Sequence, residues 1–266
     1  MPSLAAIQRL FAMEWSSMLQ YRLDLILWTA SEAAIPLVSL AIWYTVAATS
    51  PSGPGQQEVL TYYIFVMFVM IITNAWGGFF LSREILEGEI VQYLTRPVSI
   101  FWKYAANNVS EKIIKLLIPL PILLVSLVTF REYFAPAIFQ TSHIILFLVS
   151  LVVAAFLHFN LDLAFGLLAF WLEDALQIRS YNEMLASIAS GIMIPFAFMP
   201  PLAQQIFGFL PFRYYISLPI EFLLGQAHGT QVPLLIGYQL AWTIALAILL
   251  NILWRKGLRR YAPPGQ

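Results

Sequence analysis

Two acidic residues lie inside long apolar runs of this sequence, and they are the first candidates for chemistry. Glu32 occurs in W-T-A-S-E-A-A-I-P, and Asp162 occurs in L-H-F-N-L-D-L, close to His158 and Asn160. A charge near the middle of a bilayer costs at least roughly 2.5 to 3.5 kcal/mol, so such a group usually faces a partner or a wet cavity. His158 and Asp162 have helical i,i+4 spacing, so they would share a helix face and could form a hydrogen-bonded pair.

Two interpretations of these four residues stay open. The polar groups could satisfy one another and fix the packing of helices. Alternatively, they could line the path of a substrate, and a cationic amphiphile would suit the two carboxylates.

The sequence contains no motif for catalysis within the chain. Hydrolysis of ATP would require a glycine-rich loop that ends in G-K-S or G-K-T, and no Gly-Lys pair occurs. The motifs H-E-x-x-H and G-x-S-x-G are absent, the 3 histidines are scattered, and there is no cysteine. We therefore expect no catalytic residue, no metal site and no cofactor in this chain.

One strongly charged stretch, 82–97, lies between apolar runs and reads S-R-E-I-L-E-G-E-I-V-Q-Y-L-T-R-P. Its spacing predicts an amphipathic helix over 83–96 with an apolar stripe of Leu86, Ile90, Tyr93 and Leu94. The polar residues would face water and could contact a soluble partner. These candidate contact residues are Arg83, Glu84, Glu87, Gly88, Glu89, Gln92 and Arg96. A solvated linker helix with no docking role is the alternative.

The composition is that of a membrane protein, with 60% hydrophobic and only 11% charged residues. A bilayer core of about 30 Å requires roughly 20 apolar residues in a helix. Six runs meet this requirement, and they predict an all-α integral membrane domain that covers 1–266. The six predicted spans are 25–47, 59–81, 113–130, 144–172, 184–203 and 232–254.

The positive charges predict the topology, because Lys and Arg near span ends stay on the cytoplasmic side. All of them except Arg131 and Arg213 fall on one side of the six predicted spans. Both termini should therefore be cytoplasmic. The formal net charge is zero, so we expect no nucleic-acid partner, and the basic residues after 254 are interpreted as a topology anchor near anionic lipid.

Two segments are predicted to enter the membrane without crossing it. Apolar residues at helical spacing in 1–22 predict a helix that lies flat in the interface. Segment 204–230 is apolar but interrupted by glycine and proline, which predicts a re-entrant helical hairpin in the outer leaflet between spans five and six. A seventh span is the alternative, and it would disturb the charge asymmetry.

The order of these parts resembles the ABC-2 type permeases of bacterial ABC transporters. The stretches E-G-E-I-V-Q-Y-L-T-R-P-V-S and L-A-F-G-L-L-A-F-W-L-E-D are similar to a branch whose permeases pair with a separately encoded ATPase. The resemblance covers essentially the whole chain. Its motifs are moderately specific, because the architecture is shared widely whereas the G-E-I-x-x-x-L-x-R-P stretch is narrower.

The resemblance implies a permease subunit of an ATP-driven exporter in the bacterial inner membrane. Two copies of an ATP-binding subunit would bind ATP and Mg, and an identical or sister permease subunit would complete the complex. The helix over 83–96 would be the coupling helix that sits in a groove of the ATPase. The substrate would be hydrophobic or amphiphilic. The alternatives are a secondary transporter, with Glu32 and Asp162 carrying protons, and a non-transporting membrane scaffold.

Overall fold

The computed structural model describes residues 4–49, 53–94 and 99–261, and that part of the chain contains helices and no β-strand. The α-helices are α1 (Leu4–Gln20), α2 (Arg22–Glu32), α3 (Ala34–Thr49), α4 (Gln56–Thr73), α5 (Gly77–Leu86), α6 (Val91–Leu94), α7 (Ile100–Leu116), α8 (Pro119–Thr129), α9 (Thr141–Gly166), α10 (Ala175–Ala189), α11 (Pro201–Phe209), α12 (Ser217–Leu223) and α13 (Gln231–Arg260). Short 3-10 helices occupy Arg131–Tyr133, Pro136–Phe139, Leu167–Phe170, Phe196–Phe198 and Pro211–Tyr215.

Four helical segments are long and apolar enough to cross a membrane. They are Arg22–Thr49, Gln56–Leu86, Thr141–Phe170 and Gln231–Arg260. Each contains most or all of one predicted span, so the first, second, fourth and sixth predicted spans correspond to helical segments that are long and apolar enough to cross a membrane.

The third predicted span is a bent pair of helices. Helices α7 and α8 meet at an angle of 44°, and together they are also long and apolar enough to cross. The bend comes where Pro119 begins α8, because proline has no amide hydrogen to donate and its ring clashes with the preceding turn. Helix α7 begins at Ile100, so this unit extends well before residue 113 and includes the charged residues Lys103, Glu111 and Lys112.

The fifth predicted span, 184–203, is wrong as a continuous helix. Helix α10 ends at Ala189, and Gly191 adopts a φ of 96°, which takes the chain out of the helix. Pro195 and Pro200 then hold the segment in extended backbone before α11 begins. An added methyl group on Gly191 would lie 2.3 Å from the Tyr62 hydroxyl, so the turn is also closely packed.

The two segments predicted to lie in the membrane without crossing contain short helices. Helix α1 covers most of 1–22 and packs along α7, where Glu14 is buried and accepts a hydrogen bond from Asn107 Nδ2 at 2.9 Å. Segment 204–230 contains most of α11 and all of α12, and every residue of α12 is buried. Their positions relative to the bilayer stay predictions.

Arg213 and Glu221 fasten α12 to the 3-10 helix before it. Arg213 Nη2 lies 2.5 Å from Glu221 Oε2, and the hydroxyl of Ser217 donates to Glu221 Oε1 at 2.8 Å. Tyr62 of α4 contacts the same Ser217 hydroxyl at 3.3 Å. The buried α12 is therefore held by charge and hydrogen bonds as well as by apolar packing.

Helices α5 and α9 cross at two glycines. An added methyl group on Gly78 would lie 2.0 Å from the carbonyl oxygen of Asp162, and one on Gly166 would lie 2.6 Å from the carbonyl oxygen of Gly78. Small residues let helix backbones approach this closely. Ser82 strengthens the crossing, because its hydroxyl donates to the Gly166 carbonyl oxygen at 3.1 Å.

Replacing Gly78 with alanine tests this crossing. The added methyl group must push the helices apart, so we expect a loss of about 1–3 kcal/mol in the free energy of unfolding. Gly237→Ala in α13 is the matched control, because nothing lies within 4 Å of its added methyl group. There the helix preference of alanine predicts a gain of up to about 1 kcal/mol. Thermal unfolding in detergent measures both variants, and equal Tm values would contradict the close crossing.

Candidate functional site

The helical path of the second long segment breaks between Thr73, which ends α4, and Gly77, which begins α5. Asn74 has φ −55° and ψ 143°, an extended conformation that takes the chain out of the helix. A break of this kind removes backbone groups from the helical hydrogen-bond ladder. In apolar surroundings each of these groups must find another partner.

Side chains from α7 and α9 supply two of these partners. His158 Nδ1 lies 2.9 Å from the carbonyl oxygen of Thr73. Asn108 Nδ2 donates to the carbonyl oxygen of Asn74 at 3.1 Å. Because a carbonyl oxygen only accepts, His158 must carry a proton on Nδ1 in this arrangement.

An ion pair between α9 and α10 supplies the others. Asp162 Oδ2 accepts a hydrogen bond from the backbone amide of Gly78 at 2.6 Å, and Oδ1 accepts from Arg179 Nε at 2.8 Å. Arg179 also donates to the Ala75 carbonyl oxygen at 3.3 Å and pairs with Glu183 at 2.7 Å. The side chains of Asp162 and Arg179 are only 3% and 6% exposed, so each charge depends on its partner.

The predicted hydrogen-bonded pair of His158 and Asp162 is therefore wrong. Asp162 binds a guanidinium and a backbone amide instead, which together stabilise a carboxylate better than a neutral imidazole does. The ring of His158 stacks on Tyr215, with centroids 4.3 Å apart and planes 5° apart. Asn160 is half-buried and lies on a different side of α9. Sequence reasoning assigned Arg179 to topology, and no local spacing links it to Asp162.

Glu32, at the end of α2, belongs to a second buried cluster beside the break. Lys115 Nζ lies 3.2 and 3.3 Å from the two carboxylate oxygens of Glu32, and Asn74 Nδ2 lies 3.4 Å from Oε1. The same ammonium group lies 2.8 Å from Glu111 Oε1. Sequence reasoning missed this role of Lys115, although the i,i+4 spacing of Glu111 and Lys115 could have indicated an ion pair.

A cavity of about 310 Å³ adjoins this cluster. It lies between α2, α4 and the bend from α7 to α8, and its walls are mainly apolar. Glu32 and Lys115 provide the charged part of its wall. Of the four candidate pathway residues, Glu32 lines this cavity. His158 and Asp162 serve the helix break.

The charged stretch is not one helix, contrary to the prediction for 83–96. Helix α5 ends at Leu86, a turn follows, and α6 begins at Val91. Gly88 has a φ of 83°, a left-handed conformation that strains any residue with a side chain. We call residues 83–94 the contact segment. Arg96 lies outside the described residues.

The polar residues of the contact segment fall into two groups. Arg83 and Glu87 are exposed and pair with each other at 2.8 Å, and Glu89 and Gln92 are exposed at the turn and on α6. Glu84 was predicted to face water, and this is wrong. Its carboxylate is an ion-pair partner of Lys103 and accepts a hydrogen bond from the Tyr104 hydroxyl at 2.6 Å.

The predicted apolar stripe of the contact segment is only partly buried. Ile90 is fully buried, and its backbone amide donates to the carbonyl oxygen of Glu84 at 3.0 Å. Leu86 and Tyr93 are half-buried, whereas Leu94 is exposed. The contact segment therefore has an exposed polar tip, formed by Arg83, Glu87, Glu89 and Gln92. Glu84 and Ile90 attach it to the rest of the protein.

The part of the chain that the structure describes contains no candidate metal centre. Across 4–49, 53–94 and 99–261, no group of three or more His, Asp or Glu residues could hold a metal ion. The ionisable groups of the two clusters beside the break instead bind one another and the broken backbone.

Comparison with known proteins gives one clear result. A family model described as "ABC-2 family transporter protein" matches residues 30–265, which is most of the chain. No curated protein matches it. Membrane subunits of this family are in general non-catalytic and work with an ATP-binding subunit. The long apolar helices agree with such a role. The chain therefore belongs to the ABC-2 transporter family and is a membrane permease of that type.

Proposed function

We propose that this chain is the permease subunit of an ATP-driven exporter in the bacterial cytoplasmic membrane. It pairs with a second permease subunit, identical or related, on two ATP-binding subunits. The complex moves a hydrophobic or amphiphilic molecule out of the cytoplasm or the inner leaflet. The observation that carries this proposal is the contact segment, a polar tip on an anchored base, together with the family match.

The tip has the features of a docking surface for a soluble subunit. Arg83, Glu87, Glu89 and Gln92 are exposed, while Ile90 behind them is fully buried. Because the base of the tip is buried and bonded to α7, a displacement of the tip is passed on to the helices and does not only deform the tip. We therefore assign the tip, rather than the whole of 83–96, as the site where the ATP-binding subunit acts.

Force on the tip would reach the membrane helices through two attachments of α5. Glu84 joins α5 to α7 through Lys103 and Tyr104. Gly78 joins α5 to α9 through the glycine crossing and the carboxylate of Asp162. Closure of the ATP-binding subunits would thus move α5, α7 and the end of α9 together.

Helix lengths support a cytoplasmic position for the tip. Helix α4 has 18 residues and is about 27 Å long, close to the thickness of a bilayer core of about 30 Å. If α4 crosses the core, the break lies near one membrane face and α5 continues beyond it. Arg83, Lys103 and the basic residues that end α13 then lie on the same side, which favours cytoplasmic termini.

The tip can be tested with Glu87→Arg. The pair with Arg83 is exposed and contributes little to stability, so the variant should fold normally. A reversed charge against a matched surface should weaken association with the ATP-binding subunit at least about tenfold. Copurification and ATP hydrolysis by the reconstituted complex measure the effect.

The control for this test is Glu58→Arg. Glu58 is an exposed carboxylate in the first turn of α4, far along that helix from the tip. This variant should leave association and hydrolysis unchanged. If Glu87→Arg also leaves association, hydrolysis and transport intact, the assignment of the tip is wrong.

A second test separates the substrate path from the packing of helices. Asp162→Asn leaves the buried Arg179 with only Glu183, whose side chain is 47% exposed, as a charged partner, and it removes the charge that accepts from the Gly78 amide, so we expect a loss of about 3 kcal/mol in the free energy of unfolding. Glu32→Gln should cost less, because Lys115 keeps Glu111, and it should change the stimulation of ATPase activity by substrates. Thermal unfolding and ATPase dose responses measure the two effects. The assignments would be reversed if Asp162→Asn were stable and altered only the dose response.

A further inference from the structure

The cavity beside Glu32 has the size and lining of a small-molecule site. Its volume of about 310 Å³ lies at the lower end of the range for ligand pockets, about 300–1,000 Å³. Met67, Met70 and Ile114 contribute apolar walls, and methionine adapts its shape to different ligands. Such pockets typically combine apolar walls with a few polar groups that fix orientation.

The charges at the cavity wall are unevenly matched. Lys115 is shared between two carboxylates, and it lies closer to Glu111, at 2.8 Å, than to Glu32, at 3.2 and 3.3 Å. Hydrogen bonds between an ammonium and a carboxylate are usually about 2.7–2.9 Å long. Glu32 is therefore the less tightly bound carboxylate, and it is the one that lines the cavity.

Other polar groups nearby do not complete the coordination of Glu32. Asn74 Nδ2 lies 3.4 Å from it, which is a long contact for a hydrogen bond. Lys112 contacts Asn108 Oδ1 at 2.5 Å and does not line the cavity. The hydroxyl of Thr29, which does line it, donates to the carbonyl oxygen of Leu25 on its own helix.

We propose that this cavity binds an amphiphilic monocation. Its ammonium group would bind Glu32, and its apolar body would pack against Met67, Met70 and Ile114. An anion would be repelled, because two carboxylates here share one ammonium group. A neutral molecule would bind more weakly than a cation, because it cannot form an ion pair with Glu32. That the bound cation is the exported substrate rests on the proposed function, whereas the binding itself does not.

The cavity opens at the outer surface of the described helices. Ile26 and Ile118 line it, and they are 46% and 54% exposed on the outer surface of the helices. Where this surface faces lipid, an amphiphile that is dissolved in the bilayer could enter between α2 and the bend from α7 to α8. Its apolar part would remain in apolar surroundings throughout.

The test uses three probes of equal chain length: dodecylammonium, dodecanol and dodecanoate. Saturable binding of each radiolabelled probe is measured on the full-length chain in phosphatidylcholine nanodiscs without ATP, and empty nanodiscs give the background of partition into lipid. A charge-assisted contact with Glu32 should make dodecylammonium bind at least about tenfold more tightly than the other two probes. Equal affinities, or tighter binding of dodecanoate, would overturn the proposal without need of any variant.

Two variants place the site. Glu32→Gln should reduce the affinity for dodecylammonium to that for dodecanol, while the matched change Glu58→Gln, at an exposed carboxylate outside the cavity, should leave it unchanged. Unchanged binding in Glu32→Gln would mean that the cation lies elsewhere. A cation that binds selectively but is not transported by the reconstituted complex would contradict the proposed export function and leave the binding site standing.

Discussion

The break between α4 and α5 imposes the constraint on which the rest of the structure depends. Three successive carbonyl groups, those of Thr73, Asn74 and Ala75, receive side-chain donors instead of helical amides. An unsatisfied buried backbone group costs about 1–3 kcal/mol, so the donors cannot be withdrawn freely. These donors come from α7, α9 and α10. Helices α7, α9 and α10 are therefore tied to the end of α4 and the start of α5 at one level of the molecule.

The need to bond the broken backbone explains why ionisable groups such as Asp162 and Arg179 lie among apolar helices. Asp162 and Arg179 are buried because the break requires both a donor and an acceptor, and each then neutralises the other. Charges brought into a low-dielectric site are retained when each one is paired and hydrogen-bonded. The polar layer is thus the chemical consequence of interrupting a helix, and its members have structural duties before any transport role.

Hydropathy located the four segments that are long and apolar enough to cross a membrane, but it could not detect backbone conformation, such as the break between α4 and α5. The fifth predicted span failed at Gly191, where a positive φ and nearby prolines end the helix in an equally apolar sequence. The charged stretch was predicted as one helix, but a turn with Gly88 at positive φ divides it. Glu84 and Asp162 were misjudged for one reason: their partners, Lys103 and Arg179, lie in other helices, and spacing along one helix cannot identify them.

Asn74 joins the cavity to the contact segment. Its side chain contacts Glu32 at the cavity wall, and its carbonyl oxygen accepts from Asn108 at the break from which α5 begins. A ligand that binds Glu32 competes for the same carboxylate, so it changes the free energy of the break. By linkage, if a ligand at Glu32 changes the affinity of the contact segment for an ATP-binding subunit, then association of that subunit changes the affinity of the cavity by the same factor. The connection between the two sites runs through one residue, because the side chain of Asn74 contacts the cavity wall while its backbone lies in the break before α5.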